Sequence, residues 1–194
     1  MTLVEPIETR PEPEFSMPWA PFRPITRADL YRVPNDGHRY ELIDGVLVMT
    51  PAPSLRHQLA AGRLFSRLTL NCPDDLYVLS APFDVVLSED TLVQPDILVA
   101  ARDDFTERDL PKAPLLAVEV LSPSTRRIDL MLKFSRYEAA GCPSYWVVDP
   151  DTPTLIVWEM QDGAYAQVAK VSGDEAARLT SPYDVEVVPA DLIV

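Results

Sequence analysis

Apolar and polar positions along the chain change rhythm several times, and each change marks an element. Between Tyr40 and Met49 two β-prone runs flank Asp44-Gly45, a dipeptide that accepts the positive φ of a tight hairpin turn. Pro51 and Pro53 end that hairpin. From Ser54, whose hydroxyl can cap a helix, Leu55, Leu59, Leu64 and Leu68 recur on or near one stripe, predicting a helix to about Asn71. Arg56, Arg63 and Arg67 share the opposite, wetter face of that helix. Ahead of the hairpin, Thr26 is placed to cap one short helical turn at Asp29-Leu30-Tyr31.

Beyond Tyr77 the pattern becomes that of short strands, at 77–79, 83–87, 93–100 and 115–121. The last is apolar except for Glu119, as in a central strand covered on both faces. Ser124 or Thr125 caps a second helix to about Ala140, stopped by Gly141 and Pro143. A buried strand at Tyr145–Asp149, a hairpin of 155–160 with 165–171, and an edge strand at 183–188 complete the order. The succession predicts an α/β (α+β) fold: a mixed central sheet between two main helices, with an N-terminal hairpin and a C-terminal hairpin. The 194 residues suit a single domain, 25–194, preceded by an arm, 1–24, whose six prolines and four glutamates favour an extended path.

Composition narrows the chemistry. No apolar run approaches the roughly 20 residues needed to cross a membrane, and the N-terminus lacks the basic-then-apolar order of a secretory signal. Two isolated cysteines, Cys72 and Cys142, and only two histidines exclude zinc-ribbon, haem-attachment and thioredoxin-like sites, and they suit a reducing cytoplasm. The six scattered glycines build neither a phosphate-cradling loop nor a nucleophile elbow, which removes dinucleotide, P-loop and α/β-hydrolase readings. A net charge of −13 opposes the usual footprint of a nucleic-acid binder. The acidity is concentrated in the arm and the C-terminal part, however, and the segment 51–73 holds three arginines and only apolar or neutral polar residues besides His57.

What remains is carboxylates in strands. Asp96 opens an apolar strand directly after Pro95, and Glu119 sits inside another. An unpaired buried carboxylate costs several kcal/mol, so Glu119 is either paired with Arg or Lys, protonated, at a solvated strand end, or bound to a metal. An Asp and a Glu converging from adjacent strands form an oxygen cage suited to Mg²⁺ or Mn²⁺.

These residues also carry a resemblance. Pro95-Asp96 followed by Glu119-Val120-Leu121 resembles the PD-(D/E)XK nuclease signature, with Leu121 where its lysine would stand. The ordered set resembles the Uma2 family of restriction-endonuclease-like proteins: Tyr40-Glu41-Leu42-Ile43-Asp44-Gly45, His57, Gln94-Pro95-Asp96, 119–125, Asp129, Lys133, Tyr137 and Tyr145-Trp146-Val147-Val148-Asp149-Pro150. It spans about 40–150 and implies a restriction-endonuclease-like core, a divalent metal and phosphodiester hydrolysis. In the Uma2-type pattern the lysine moves to the following helix, which implies Lys133.

The expected site is therefore Asp96 and Glu119 holding Mg²⁺ or Mn²⁺, with Lys133 stabilising developing charge. Lys133 also has a plainer reading, an i, i+4 ion pair with Asp129. Glu41 is either a third acid of the cage or an ordinary strand-edge carboxylate. His57 is either a phosphate- or water-orienting accessory or a surface histidine. Tyr137 is either accessory or helix packing, and Tyr145 and Trp146 read as core. Arg56, Arg63 and Arg67 on one helix, with Arg126, Arg127 and Arg136 on the other, are candidates to grip a DNA backbone. A homodimer is expected from two-site cutting and from the apolar run Leu155–Trp158, which needs a cover if it lies at a sheet edge. An inactive nuclease-fold binding module and a hydrolase of a smaller phosphoester remain as alternatives.

Overall fold

The computed structural model describes residues 23–33 and 37–193; the predicted arm, apart from Arg23 and Pro24, lies outside them. Chain order begins with a short helix, α1 (Arg27–Leu30), after Thr26. The Asp29 carboxylate accepts the Thr26 N–H and hydroxyl and a paired contact from Arg23 at 2.7 Å. The predicted hairpin follows as β1 (Arg39–Ile43) and β2 (Val46–Thr50). Its turn residues Asp44 and Gly45 both hold positive φ, 53° and 72°, which matches the right-handed twist of the flanking strands.

The helix α2 (Leu55–Asn71) starts where Ser54 accepts the His57 N–H. Next come β3 (Leu76–Ser80), β4 (Asp84–Ser88), β5 (Thr91–Val93), β6 (Ile97–Ala101), β7 (Asp109–Leu110) and β8 (Leu116–Val120). A second helix leads through α3 (Phe134–Ala139) to β9 (Ser144–Asp149), then β10 (Thr154–Gln161), β11 (Ala164–Ser172), β12 (Ala177–Leu179) and β13 (Val185–Val187).

These strands make two main sheets. The central one runs β11-β10-β9-β8-β6-β3, with β8 and β9 parallel and the other pairs antiparallel. A smaller sheet runs β2-β1-β5-β4-β7. The apolar run 93–100 does not form one strand. The chain leaves the small sheet at Val93, turns through Gln94-Pro95-Asp96, and enters the central sheet at Ile97. Pro95 has no N–H to give a ladder, so the break falls where the backbone can least sustain pairing.

Strand alternation divides the core. Ile97, Val99, Leu116, Val118 and Val120 join Leu64 and Leu68 of α2 on one face. Leu98, Ala100, Ala117, Tyr145 and Val147 join Tyr137 of α3 and Ile43, Val85 and Val93 of the small sheet on the other. The mixed α+β architecture with two flanking helices is thus present, with the N-terminal hairpin extended into a sheet of its own.

Two further expectations need correction. The second helix is not a regular α-helix throughout: residues 128–133 form a π-turn, in which the Phe134 N–H reaches the Asp129 carbonyl five residues back. The segment 183–188 contributes β13, which pairs with β12 in a separate ribbon packed beneath α2 rather than adding an edge to the main sheet. The run 155–158 lies in β10, between β9 and β11. Leu155 and Val157 are fully buried on the α2 face, and Trp158 packs against Phe134 at 5.3 Å between ring centroids, so the run is covered from within the chain.

The hairpin turn gives a direct check on this packing. A Cβ at Gly45 would meet Pro24 Cβ at 2.6 Å, at a φ that side chains rarely adopt. Gly45→Ala is expected to cost about 1–3 kcal/mol in urea-unfolding stability. The same change at Gly141, where φ is 75° but nothing lies within 4 Å, isolates the conformational part of that cost.

Candidate active site

The site grows out of the register of β6 and β8. Ile97 pairs with Val118, so one further step along both strands brings Asp96 level with Glu119. Val118 and Val120 face α2, which turns Glu119 to the side of Lys133 and Tyr137. Asp96 Oδ2 accepts the Val120 N–H at 2.8 Å and lies 3.2 Å from Nε2 of His57 on α2. His57 is buried rather than a surface histidine, and its Nδ1 has no hydrogen-bond partner among the described residues.

Lys133 comes from the π-turn and is only 4% exposed. Its Nζ lies 2.9 Å from Glu41 Oε1, 3.1 Å from Glu119 Oε1 and 3.7 Å from Asp129 Oδ1. The plainer reading of Lys133, the Asp129 pairing, is present, but the two glutamates are closer. Glu41 is not a strand-edge carboxylate in water. Its Oε1 also accepts the Gln94 N–H at 2.7 Å, and its Oε2 accepts the Thr50 hydroxyl at 3.3 Å.

Three buried carboxylates share one buried ammonium, and the electrostatics follow. Burial pushes the Glu119 carboxyl well above the usual range, against the pull of Lys133, and Asp129, Asp96 and Glu41 push in the same direction as burial. Burial likewise moves Asp129 up to about 6. For Lys133 burial opposes the charge, but Glu119, Glu41 and Asp129 outweigh it and carry the ammonium above the ordinary lysine range. Tyr137 lies beneath this cluster, 5.2 Å from Tyr145 between ring centroids, and burial raises its hydroxyl far above the usual value.

The cluster opens into a cavity of about 170 Å³ walled by the loops 50–54 and 122–125. None of the six candidate DNA-gripping arginines lines it. Arg56 and Arg127 are exposed at the surface. Arg63 reaches the Asp191 carbonyl, and Arg67 reaches the Glu186 carbonyl and the Asp191 carboxylate at 3.2 Å. Arg126 pairs with Asp149 at 2.8 Å, and Arg136 Nε lies 3.0 Å from Asp44. The arginine that does line the cavity, beside Lys133, is Arg39, which sequence reasoning missed. Its signal was its place two residues before Glu41, on the same face of β1.

Among the described residues no group of three or more His, Cys, Asp or Glu side chains is arranged to hold a metal ion. Asp96 and Glu119 nevertheless offer hard oxygen donors in one cleft, with carboxylates in excess of cations. Mg²⁺ is commonly held by one or two carboxylates together with water and substrate oxygens, so this donor set fits its chemistry.

The sequence profile of the Uma2 family, described as "Putative restriction endonuclease", matches residues 27–188. This chain belongs to the Uma2 family. A solved structure from Anabaena variabilis ATCC 29413, described as "a putative nuclease belonging to DUF820", resembles this Uma2 protein with a TM-score of 0.72. The likeness covers 88% of this chain and 98% of that one at 18% identity, and it is a likeness of fold. No curated protein matches the sequence. No helix among the described residues of this Uma2 protein is long and apolar enough to cross a membrane.

The buried acids set a pH dependence. Asp129 in the fold titrates near 6 rather than at the ordinary 3.8, so the stability of its protonated form is fully present below about pH 4 and lost as pH rises through 6. Asparagine mimics the protonated acid. Asp129→Asn is therefore expected to match the wild type at pH 4 and exceed it by about 1–3 kcal/mol at pH 8, measured by urea unfolding in EDTA.

Proposed function

We propose that this protein is a divalent-metal-dependent endonuclease that hydrolyses phosphodiester bonds in DNA, working in the cytoplasm. One observation carries the reading: Asp96 and Glu119 stand level at the ends of adjacent central strands, with a buried ammonium 3.1 Å from Glu119. Membership in a family described as "Putative restriction endonuclease" supports it.

Asp96 and Glu119 would hold Mg²⁺ or Mn²⁺, which when bound polarises a phosphate oxygen and lowers the pKa of a coordinated water. Lys133 supplies a fixed positive charge for the negative charge that builds on the phosphate oxygens. Glu41 keeps that ammonium in place, and the Gln94 N–H and Thr50 hydroxyl keep Glu41 in place, so the charge is set before substrate arrives. His57 orients the Asp96 carboxylate through Nε2 and acts as a positioning residue. Tyr137 supports the helix that delivers Lys133.

Arg56 and Arg127, exposed and without an ion pair among the described residues, would track a phosphate backbone, whereas Arg63, Arg67, Arg126 and Arg136 must first exchange protein partners for phosphate. Cutting both strands of a duplex calls for two sites, which a homodimer supplies, joined elsewhere than at the internally covered run 155–158.

The assay is incubation of purified protein with single-stranded, double-stranded and branched DNA, with and without Mg²⁺ or Mn²⁺. Metal-dependent cleavage is expected, absent in Asp96→Ala and lowered at least about 100-fold in Lys133→Met, with circular dichroism confirming that each variant is folded. Cleavage that persists in Asp96→Ala, or no cleavage of any DNA by the wild type, would contradict the reading.

A further inference from the structure

The cavity at the carboxylate cluster has a neighbour of about 160 Å³, and Arg39, Pro53, His57 and Asp96 line both. The two are therefore one groove with Asp96 and His57 at its waist. Past the waist the groove runs along α2 to Phe65, which is partly buried against the core.

Arg39 stands at the junction, tethered through its Nε. Its Nε donates to Gln94 Oε1 at 3.1 Å, and Gln94 is itself anchored by its N–H on Glu41 and its Nε2 on Asp84 at 2.8 Å. No carboxylate among the described residues lies within ion-pair distance of Arg39. Arg23, Arg27, Arg67, Arg126, Arg136 and Arg178 each hold one; of the described arginines that do not, Arg39 is the one that lines this groove. A half-buried guanidinium, oriented at Nε and left without an anion among the described residues, is shaped for an oxyanion that takes its remaining N–H groups in pairs. His57 adds a second buried donor or acceptor at the same waist, since its Nδ1 has no partner among the described residues. Beyond it, Phe65 offers an aromatic surface and Ala61, Gly62 and Ala81 leave room beside it.

We propose that this second cleft is a nucleotide subsite: Arg39 holds the phosphate adjoining the one that is cut, and the base of that nucleotide enters beside Phe65. A base seated there is unstacked from its neighbours and free of a pairing partner, so the strand is single or locally opened where it binds. The identity of the ligand rests on the nuclease reading; the position of the subsite rests on the groove.

The test is anisotropy of a fluorescein-labelled oligothymidylate and of its oligoadenylate duplex, titrated with protein in EDTA so that binding is read apart from cleavage. The single strand is expected to bind more tightly than the duplex. Arg39→Ala should weaken strand binding about tenfold or more, with Arg39→Lys recovering part of the loss. Phe65→Leu, which keeps the packing volume but removes the aromatic face, should weaken it about fivefold or more. Melting temperatures establish that the variants are folded. Equal affinity across wild type, Arg39→Ala and Phe65→Leu would overturn the proposal, as would duplex binding at least as tight as the single strand or no strand binding by the wild type. Strand binding with the expected losses, but without Mg²⁺- or Mn²⁺-dependent cleavage, supports the subsite and refutes the nuclease reading alone.

Discussion

One ammonium, buried among three carboxylates, joins the parts of this fold that the site needs. Lys133 brings together β1 of the small sheet through Glu41, β8 of the central sheet through Glu119, and its own helix through Asp129. Removing charges from water is costly, and attraction in the interior repays the cost only where the geometry is good and the remaining valences are filled. Here Glu41 is filled by the Gln94 N–H and the Thr50 hydroxyl, while Glu119 and Asp129 stay under-compensated and hold their protons more tightly than ordinary acids. The cluster thus has more carboxyl groups than its one ammonium can balance, and bound protons make up part of the difference. That is a cost in stability borne at the proposed site.

The two sheets meet where the chain crosses between them. Gln94 gives its N–H to Glu41 and its side chain to Asp84 and Arg39; two residues later Asp96 receives the Val120 N–H and faces His57. A crossover that must abandon strand pairing therefore delivers a carboxylate to the end of the central sheet. On the far side of α2, Arg63 and Arg67 are taken up by the Glu186 and Asp191 region, which fastens the C-terminal ribbon to the helix. The basic stripe on that helix is thus partly a structural clamp.

Much of this was legible in the residues, for local reasons. Asp44-Gly45 announces its turn because both residues tolerate positive φ, and Glu119 stands out as the one charge in an apolar strand. Features decided by distant contacts were not legible. The run 93–100 reads as one strand because apolar content says nothing of which sheet a residue joins; only Pro95 hinted at the break. The π-turn escaped because helical spacing assumes a constant period, and the wider turn is what separates buried Lys133 from exposed Arg126. The partners of Arg63 and Arg67 lie far along the chain, and an arginine in a strand such as Arg39 reads as a solvent-facing residue until its neighbours are known.

The buried charge on Lys133 can be measured directly, because the chain has only three lysines and the other two, Lys112 and Lys170, are exposed. Nuclear magnetic resonance of ¹³C- and ¹⁵N-labelled lysine side chains, followed upward in pH while the fold stays intact, resolves each titration. Lys133 is predicted to keep its proton after Lys112 and Lys170 have lost theirs, held by Glu119, Glu41 and Asp129. A Lys133 signal that deprotonates together with the surface lysines, or before them, would contradict the charge arrangement on which the site depends.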